Sequence, residues 1–442
     1  MISGTPLMGA DASTLPICGI LTALVPLTPA GLALMNCGFG RARSAAHSML
    51  SSLAAMAIAA IVYCLLGFSW EGTAGGPARV FLLGGKPWDW IASGGLGMQR
   101  LASNGSPATQ GMLLQVFTVG IAALIPVSTG AGRWRLRSIW ISTALLAGWS
   151  YPLFAHWVWG GGWLAQLGTN FNLGNGFLDA GGAGTVHVMG GLSALAIAWT
   201  LGPRRGKYLS EEGSAAIPGH NVVYVLFGCA VIIPGWIALN SAGAILFAGA
   251  ASWQIPLIAV NTVLSSSASC LVAVIGTRIR FGKPDASLCA NGWMAGLVSS
   301  SAVCCFVTPL IAILIGLVAG MLVGISVEAL EVFLTVDDPG GAISVHTVAG
   351  IWGLLALGIF PRIPDASGLI HPGVQNNSGQ LLAQVVGIAT LLGLMLPMIY
   401  GLNVLLNQID PQRVDLRGER LGMDLEELGG GAYPEFVIHN DD

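Results

Sequence analysis

Apolar residues run along this chain in long blocks rather than in an alternation of in-facing and out-facing positions. The blocks fall at about 13–37, 45–70, 109–131, 136–158, 183–202, 219–246, 252–277, 286–303, 305–331, 343–361 and 380–407. A helix rises about 1.5 Å per residue, so about 20 apolar residues cross the ~30 Å hydrocarbon layer of a bilayer. The pattern therefore predicts an all-α integral membrane protein with eleven transmembrane helices. A Gly- and Ser-rich stretch, 71–108, and a second stretch, 159–182, read as long outer loops. The chain divides into a membrane domain over 1–410 and an acidic tail over 411–442.

The basic residues give an independent check on this count. Arg41 and Arg43 follow the first block, Arg133, Arg135 and Arg137 the third, and Arg204, Arg205 and Lys207 the fifth. Arg278, Arg280 and Lys283 follow the seventh, and Arg413, Arg417 and Arg420 the eleventh. Only Arg79, Lys86, Arg100 and Arg362 follow even-numbered blocks. Cationic loops stay in the cytoplasm. The N-terminus is thus expected outside and the tail inside the cell, in a plasma or inner membrane. The first dozen residues carry no Lys or Arg, so the opening block reads as a retained helix rather than a cleaved signal peptide.

One nine-residue pattern occurs twice. Asp179-Ala180-Gly181-Gly182-Ala183-Gly184-Thr185-Val186-His187 and Asp338-Pro339-Gly340-Gly341-Ala342-Ile343-Ser344-Val345-His346 both read D-x-G-G-A-x-[S/T]-V-H. A glycine follows each His by four residues, at Gly191 and Gly350. The copies open the fifth and tenth blocks, which cross in opposite directions. That is the mark of an inverted five-plus-five repeat with one added C-terminal helix. Each Asp suits a helix N-cap, where a carboxylate accepts bonds from free backbone N–H groups and complements the helix dipole. Each His lies eight residues further in, a depth of about 12 Å. The two imidazoles therefore approach the midplane from opposite sides. An ionisable side chain inside hydrocarbon is costly and marks function. Two neutral imidazoles in contact can pass a proton, because each has one donor and one acceptor nitrogen. Two unrelated core histidines, each bonded to a carbonyl, would be the plainer reading, but the matching repeats argue against it.

Composition narrows the remaining classes. Hydrophobic residues make up 54% of the 442 residues and charged ones 9%, whereas a soluble domain carries roughly 25% charged residues. The net charge of −3 argues against a nucleic-acid partner. The eight cysteines lie in or beside apolar blocks without CxxC or Cys/His spacing, and read as small apolar fillers. No third ligand stands near either His, so no metal or other cofactor is implied. No Ser/His/Asp, HExxH or paired-carboxylate set lies within the blocks, so the chain does not read as an enzyme.

Several longer stretches resemble the Amt/Mep/Rh ammonium transporter family, Amt branch. They are His156-Trp157-Val158-Trp159-Gly160-Gly161-Gly162, the Asp179–His187 run, Gly235-Trp236-Ile237-Ala238-Leu239-Asn240, Asn291-Gly292-Trp293-Met294-Ala295-Gly296-Leu297-Val298, and Asp337 through His346 with Gly350-Ile351-Trp352-Gly353. The likeness extends from about Ala10 to Tyr433. It implies a homotrimer in which each subunit carries its own pore for ammonium or ammonia. His187 and His346 match the family's twin pore histidines. Trp159 matches an outer Trp that recruits the cation, with Asp179 near it and mainly structural. Phe117 matches the first ring of a hydrophobic gate. The second gate ring is Leu239 here, and a family Ser is replaced by Gly243, so the outer site has one hydroxyl and one ring fewer. A PII-type cytoplasmic regulator is an implied partner, landing on the tail and the loops after the first, fifth and ninth helices. Two other readings stay open: an Amt-like ammonium sensor that conducts little, and an inverted-repeat transporter for another solute. The lack of an attached signalling domain counts against the first; the lack of mid-span Pro-Gly breaks in the fifth and tenth helices counts against the second.

Overall fold

A computed structural model describes residues 14–72, 78–98, 106–208, 214–360 and 379–433. Arg100, Arg362, the opening residues and the last residues of the tail lie outside these. The predicted blocks return as helical stretches within a few residues. They are α1 (Leu15–Phe39), α2 (Ala42–Glu71), α3 (Pro107–Thr129), α4 (136–158), α5 (Ala183–Leu201), α6 (Val222–Ala248), α7 (Ser252–Phe281), α8 (Ala286–Val303), α9 (Pro309–Phe333), α10 (Ile343–Ile359) and α11 (Gln380–Ile409). Among the described residues, eight of these are long and apolar enough to cross a membrane; α4, α8 and α10 are the others. Two short tail helices follow, α12 (Leu416–Leu421) and α13 (Met423–Leu428).

Several starts are set locally. Ser106, Asn221 and Asp285 each accept a bond from a backbone N–H three residues on, and Pro107 and Pro309 open α3 and α9 where a missing N–H costs nothing. Packing then follows membrane rules, with small residues and hydroxyls at the contacts. Ser265, Ser266 and Ser269 of α7 donate to the carbonyls of Gly296, Trp293 and Gly292 of α8 at 2.9, 2.9 and 2.6 Å. On α9, a Cβ at Gly316 would come within 2.1 Å of the Ser265 carbonyl. Side chains such as Ile279, Val223, Leu310 and Ile325 point outward, as a lipid-facing surface requires.

The stretch 71–108 is not a plain loop. Within it an antiparallel hairpin pairs β1 (Ala78–Leu83) with β2 (Lys86–Ala92). The turn is Gly84-Gly85, both at positive φ, as a two-residue hairpin demands. The apolar-block criterion passed over it because β1 is too short to span. An aromatic cluster docks the hairpin: Trp88 stacks on Trp163 at 5.2 Å, Trp90 lies 4.9 Å from Trp157, and Trp157 Nε1 donates to the Trp90 carbonyl. His156 bonds Asp89 at 3.0 Å through one ring nitrogen and the Glu71 carbonyl at 2.7 Å through the other. This end of the molecule is the hairpin side.

The tail packs against the opposite end, the tail side. Asp424 accepts the backbone N–H groups of Ala46 and His47 at 3.1 and 2.7 Å, capping the start of the long helix in α2. Glu427 accepts from Leu136 N and meets His47 Nε2 at 3.2 Å. Val414 N donates to the Arg133 carbonyl, and Arg135 N to that of Gln412. The tail thereby ties down the start of α2 and the loop that follows α3.

Candidate functional site

The two copies of the repeated pattern build the same backbone. Asp179 Oδ2 accepts from Gly184 N at 3.0 Å, Thr185 N at 2.8 Å and Thr185 Oγ1 at 2.9 Å. Asp338 Oδ2 accepts from Ile343 N at 2.7 Å. The second glycine of each pair is left-handed, Gly182 at φ +89° and Gly341 at φ +68°. A turn of π-helix follows in both, Ala183–Val188 and Ile343–Val348, and carries the His. Such turns cluster at functional sites because they re-aim a side chain.

The glycines four residues past each His let the copies cross. A Cβ on Gly191 would lie 2.2 Å from Thr347 Oγ1 and 2.7 Å from Thr347 N. A Cβ on Gly350 would lie 2.6 Å from Val188 Cγ2 and 3.0 Å from the Ala183 carbonyl. Each copy's glycine thus receives the other copy's π-turn. The crossing brings the His187 and His346 rings to 5.3 Å between centroids, tilted by 23°. His187 is fully buried and His346 is 4% exposed. Neither His187 nitrogen nor His346 Nδ1 has a hydrogen-bond partner among the described residues. Buried polar atoms are rarely left so, and each such case calls for an explanation.

Trp236 supports the pair. Its indole stacks on His187 at 4.6 Å and 6°, and its Nε1 donates to Ser301 Oγ and the Leu297 carbonyl of α8. Sequence reasoning had Trp236 only as part of a motif; its role needed the register of α6 against α5. Below the pair, on the tail side, a cavity of about 20 Å³ is lined by Phe39, Ser128, Asn291, Met294 and His346. That is room for a water-sized molecule.

Above the pair, on the hairpin side, Trp159 is 2% exposed. Its Nε1 donates to the Asp179 carbonyl at 2.8 Å, and Phe247 stacks on its face at 4.3 Å and 9°. Trp159 and Asp179 are therefore neighbours, as the motif suggested. Phe247 is a second missed residue, one helical turn beyond Gly243. Leu239 is buried on α6, and Phe117 is a half-buried ring on α3. Among the described residues no aromatic ring stacks on Phe117. Gly243 has a packing cause: a Cβ there would meet the Ala180 carbonyl at 2.5 Å. A side chain at 243 would have to push α6 away from the loop before α5.

The arrangement is a buried, mostly apolar site holding two stacked imidazoles, with no hydrogen bond between them among the described residues. Among the described residues no group of three or more His, Cys, Asp or Glu is placed to hold a metal ion. A family model, the Ammonium Transporter Family, matches residues 17–433. The chain belongs to the ammonium transporter family. Ammonium transporter Amt2 of Archaeoglobus fulgidus is 33% identical over 438 residues, covering 95% of this chain and 87% of that one. The ammonium transporter of Bacillus subtilis is 28% identical, covering 95% and 97%. Among solved structures, one titled Sensor Amt Protein superposes with a TM-score of 0.82 at 27% identity, over 94% of this chain and 98% of that one. Candida albicans Mep2 superposes with a TM-score of 0.77 at 21% identity, over 93% and 88%, which shows a shared fold. This family is one of multi-pass membrane transporters, not of enzymes.

Proposed function

We propose that this protein moves ammonium across a membrane through a pore whose dry centre is the His187–His346 pair. The observation that carries this reading is that pair: two buried imidazoles 5.3 Å apart between ring centroids, delivered from opposite ends by copies of one segment, with three of their nitrogens without a partner among the described residues. A bare cation loses heavily on entering a low-dielectric passage. Ammonium escapes that loss by giving up its proton, which potassium cannot do. Ammonia then crosses as a neutral molecule while the imidazoles relay the proton.

The other roles follow from this centre. Trp159, backed by Phe247, offers an indole edge and face to an arriving cation, and an aromatic face attracts small cations. Asp179 fixes the Trp159 indole through its carbonyl and the π-turn through its carboxylate. Phe117 and Leu239 form the apolar constriction that excludes hydrated ions. In the proposed arrangement α1 to α11 all cross the bilayer of a plasma or inner membrane, with the hairpin side outside and the tail in the cytoplasm. The subunits assemble as a homotrimer, and a PII-type regulator docks on the tail side.

Flux of ammonium into proteoliposomes is the direct test. Folded protein should pass ammonium and methylammonium and hold back potassium; folded protein that passes no ammonium would sink the reading. A sensor that conducts little is the second reading, motivated by the overlap with the Sensor Amt Protein together with Leu239 and Gly243. It predicts saturable ammonium binding with no flux in the same vesicles.

A further inference from the structure

On the tail-side face two buried carboxylates are each shared by two arginines. Asp337 is taken by Arg204, whose Nε and Nη2 donate to its two oxygens at 2.8 Å each, and by Arg133 at 3.7 Å. Glu419 is taken by Arg413 at 2.8 Å and Arg205 at 3.5 Å. Arg41, Arg43 and Arg420 stand on the same face, and none of them forms an ion pair among the described residues.

These arginines are gathered rather than scattered. Arg43 donates from Nη1 to the Arg420 carbonyl. Gly422, at φ +100°, lets the tail lie on the Arg43 backbone, where a Cβ would come within 2.3 Å of the Arg43 carbonyl oxygen. Between the loops after α1 and α5 and the tail helix α12 there remains a cavity of about 450 Å³, walled by Arg41, Arg43, Arg205 and Arg420. Glu419, already paired, Leu416, and Gly206, which faces open space, complete it. Packing like charges round one opening is unfavourable unless something negative shares it. Partial burial, then the Arg43 and Arg204 charges, holds the Arg41 guanidinium below its ordinary range, in keeping with that crowding.

We infer that this cavity binds a phosphate-type anion. Guanidinium forks match phosphate oxygens two at a time, and several arginines round one opening favour a multiply charged anion. The bound group bridges Arg420 of α12 to Arg41 and Arg43 at the start of α2 and to Arg205 of the loop after α5, so it fastens the tail to the tail-side face. A phospholipid headgroup and a free phosphate compound present the same chemistry here. The inference stands apart from whichever species crosses the pore.

Inorganic pyrophosphate is the probe, titrated calorimetrically into the full-length protein in uncharged detergent. Saturable binding is expected at one site per chain. Arg41→Gln with Arg420→Gln should weaken it at least about tenfold, the scale for losing charge-assisted bonds. Arg417→Gln, exposed on the same helix but outside the cavity wall, should leave it within about twofold. Repeating the titration in phosphatidylcholine nanodiscs with and without phosphatidylglycerol separates the sources. Competition by the anionic lipid assigns the site to a headgroup, and its absence assigns it to soluble phosphate. Three results overturn the inference: no saturable binding by the unaltered protein, equal weakening by Arg417→Gln, or binding that appears only once residues 434–442 are removed. The last would mean that the chain's own acidic end fills the cavity.

Discussion

The hairpin-side copy of the repeat and the tail-side copy share a pattern, a backbone and a histidine, yet their surroundings differ. Asp179 is closed on its own segment: three donors, all from Gly184 and Thr185, reach one carboxylate oxygen. Asp338 spends one oxygen on its own Ile343 N–H and the other on Thr129 Oγ1 of α3, at 2.7 Å. Ser344, which stands where Thr185 stands, is fully buried, and its hydroxyl has no partner among the described residues. Asp337, just before the second copy, is gripped by Arg204 and Arg133 and so connects that copy to the charged loops. His187 is sealed against Trp236, whereas His346 borders a cavity. One copy is a self-contained plug and the other is wired to the tail side. The shared pattern thus sets the shape of both, while the neighbours decide what each responds to.

The comparison can be broken most strongly at the caps. Asp179→Ala should cost about 4 kcal/mol, since it leaves three buried donors without their charged acceptor. Asp338→Ala should cost about half as much, because it orphans fewer donors and its site is less buried. Unfolding titrations in detergent should rank them in that order; the reverse ranking would contradict the self-contained reading of the first copy. Next is Gly243→Ser. Restoring the family hydroxyl forces a Cβ to within 2.5 Å of the Ala180 carbonyl, so it should cost about 2–3 kcal/mol rather than improve recruitment. A variant with wild-type stability and tighter ammonium uptake would refute the packing explanation.

The third contrast is in pH. Burial alone would raise the Asp337 carboxyl, but the Arg204 bonds and the Arg133 and Arg204 charges outweigh it and hold the group at about 2 against an ordinary 3.8. A depressed carboxyl stabilises the fold fully above its unfolded value and loses that contribution as pH falls. About 2 kcal/mol of tail-side stability should therefore vanish between roughly pH 4 and pH 2. Asp337→Asn should flatten the thermal-melt profile over that window, and an unchanged slope would count against the ion cluster. The smallest effect separates the matched hydroxyls. Thr185→Val should cost about 1–2 kcal/mol and Ser344→Ala close to nothing, because only the first hydroxyl has an acceptor. Equal losses would mean that Ser344 is bonded after all.

Much of this was legible in the chain. Long apolar blocks fixed the helices to within a few residues, and the duplicated D-x-G-G-A pattern placed the two histidines on a meeting course. Each of those features acts locally, through hydrophobicity, glycine dihedrals and N-capping. The Gly84-Gly85 hairpin was also written locally, but in strand periodicity that a search for spanning blocks passes over. What stayed hidden depends on register between distant helices. Nothing near Trp236 or Phe247 in sequence says that one stacks on His187 and the other on Trp159. Nor does Gly243 announce that the Ala180 carbonyl stands where its side chain would be.

The central claim is that two imidazoles share one conduit and pass a proton along it. Solid-supported-membrane currents evoked by ammonium and by potassium, in the unaltered protein and in His187→Ala and His346→Ala, test it most directly. The account predicts an ammonium-evoked current with little response to potassium, and in either variant a loss of that current or a gain of potassium current. Variants whose currents match the unaltered protein for both ions would contradict it.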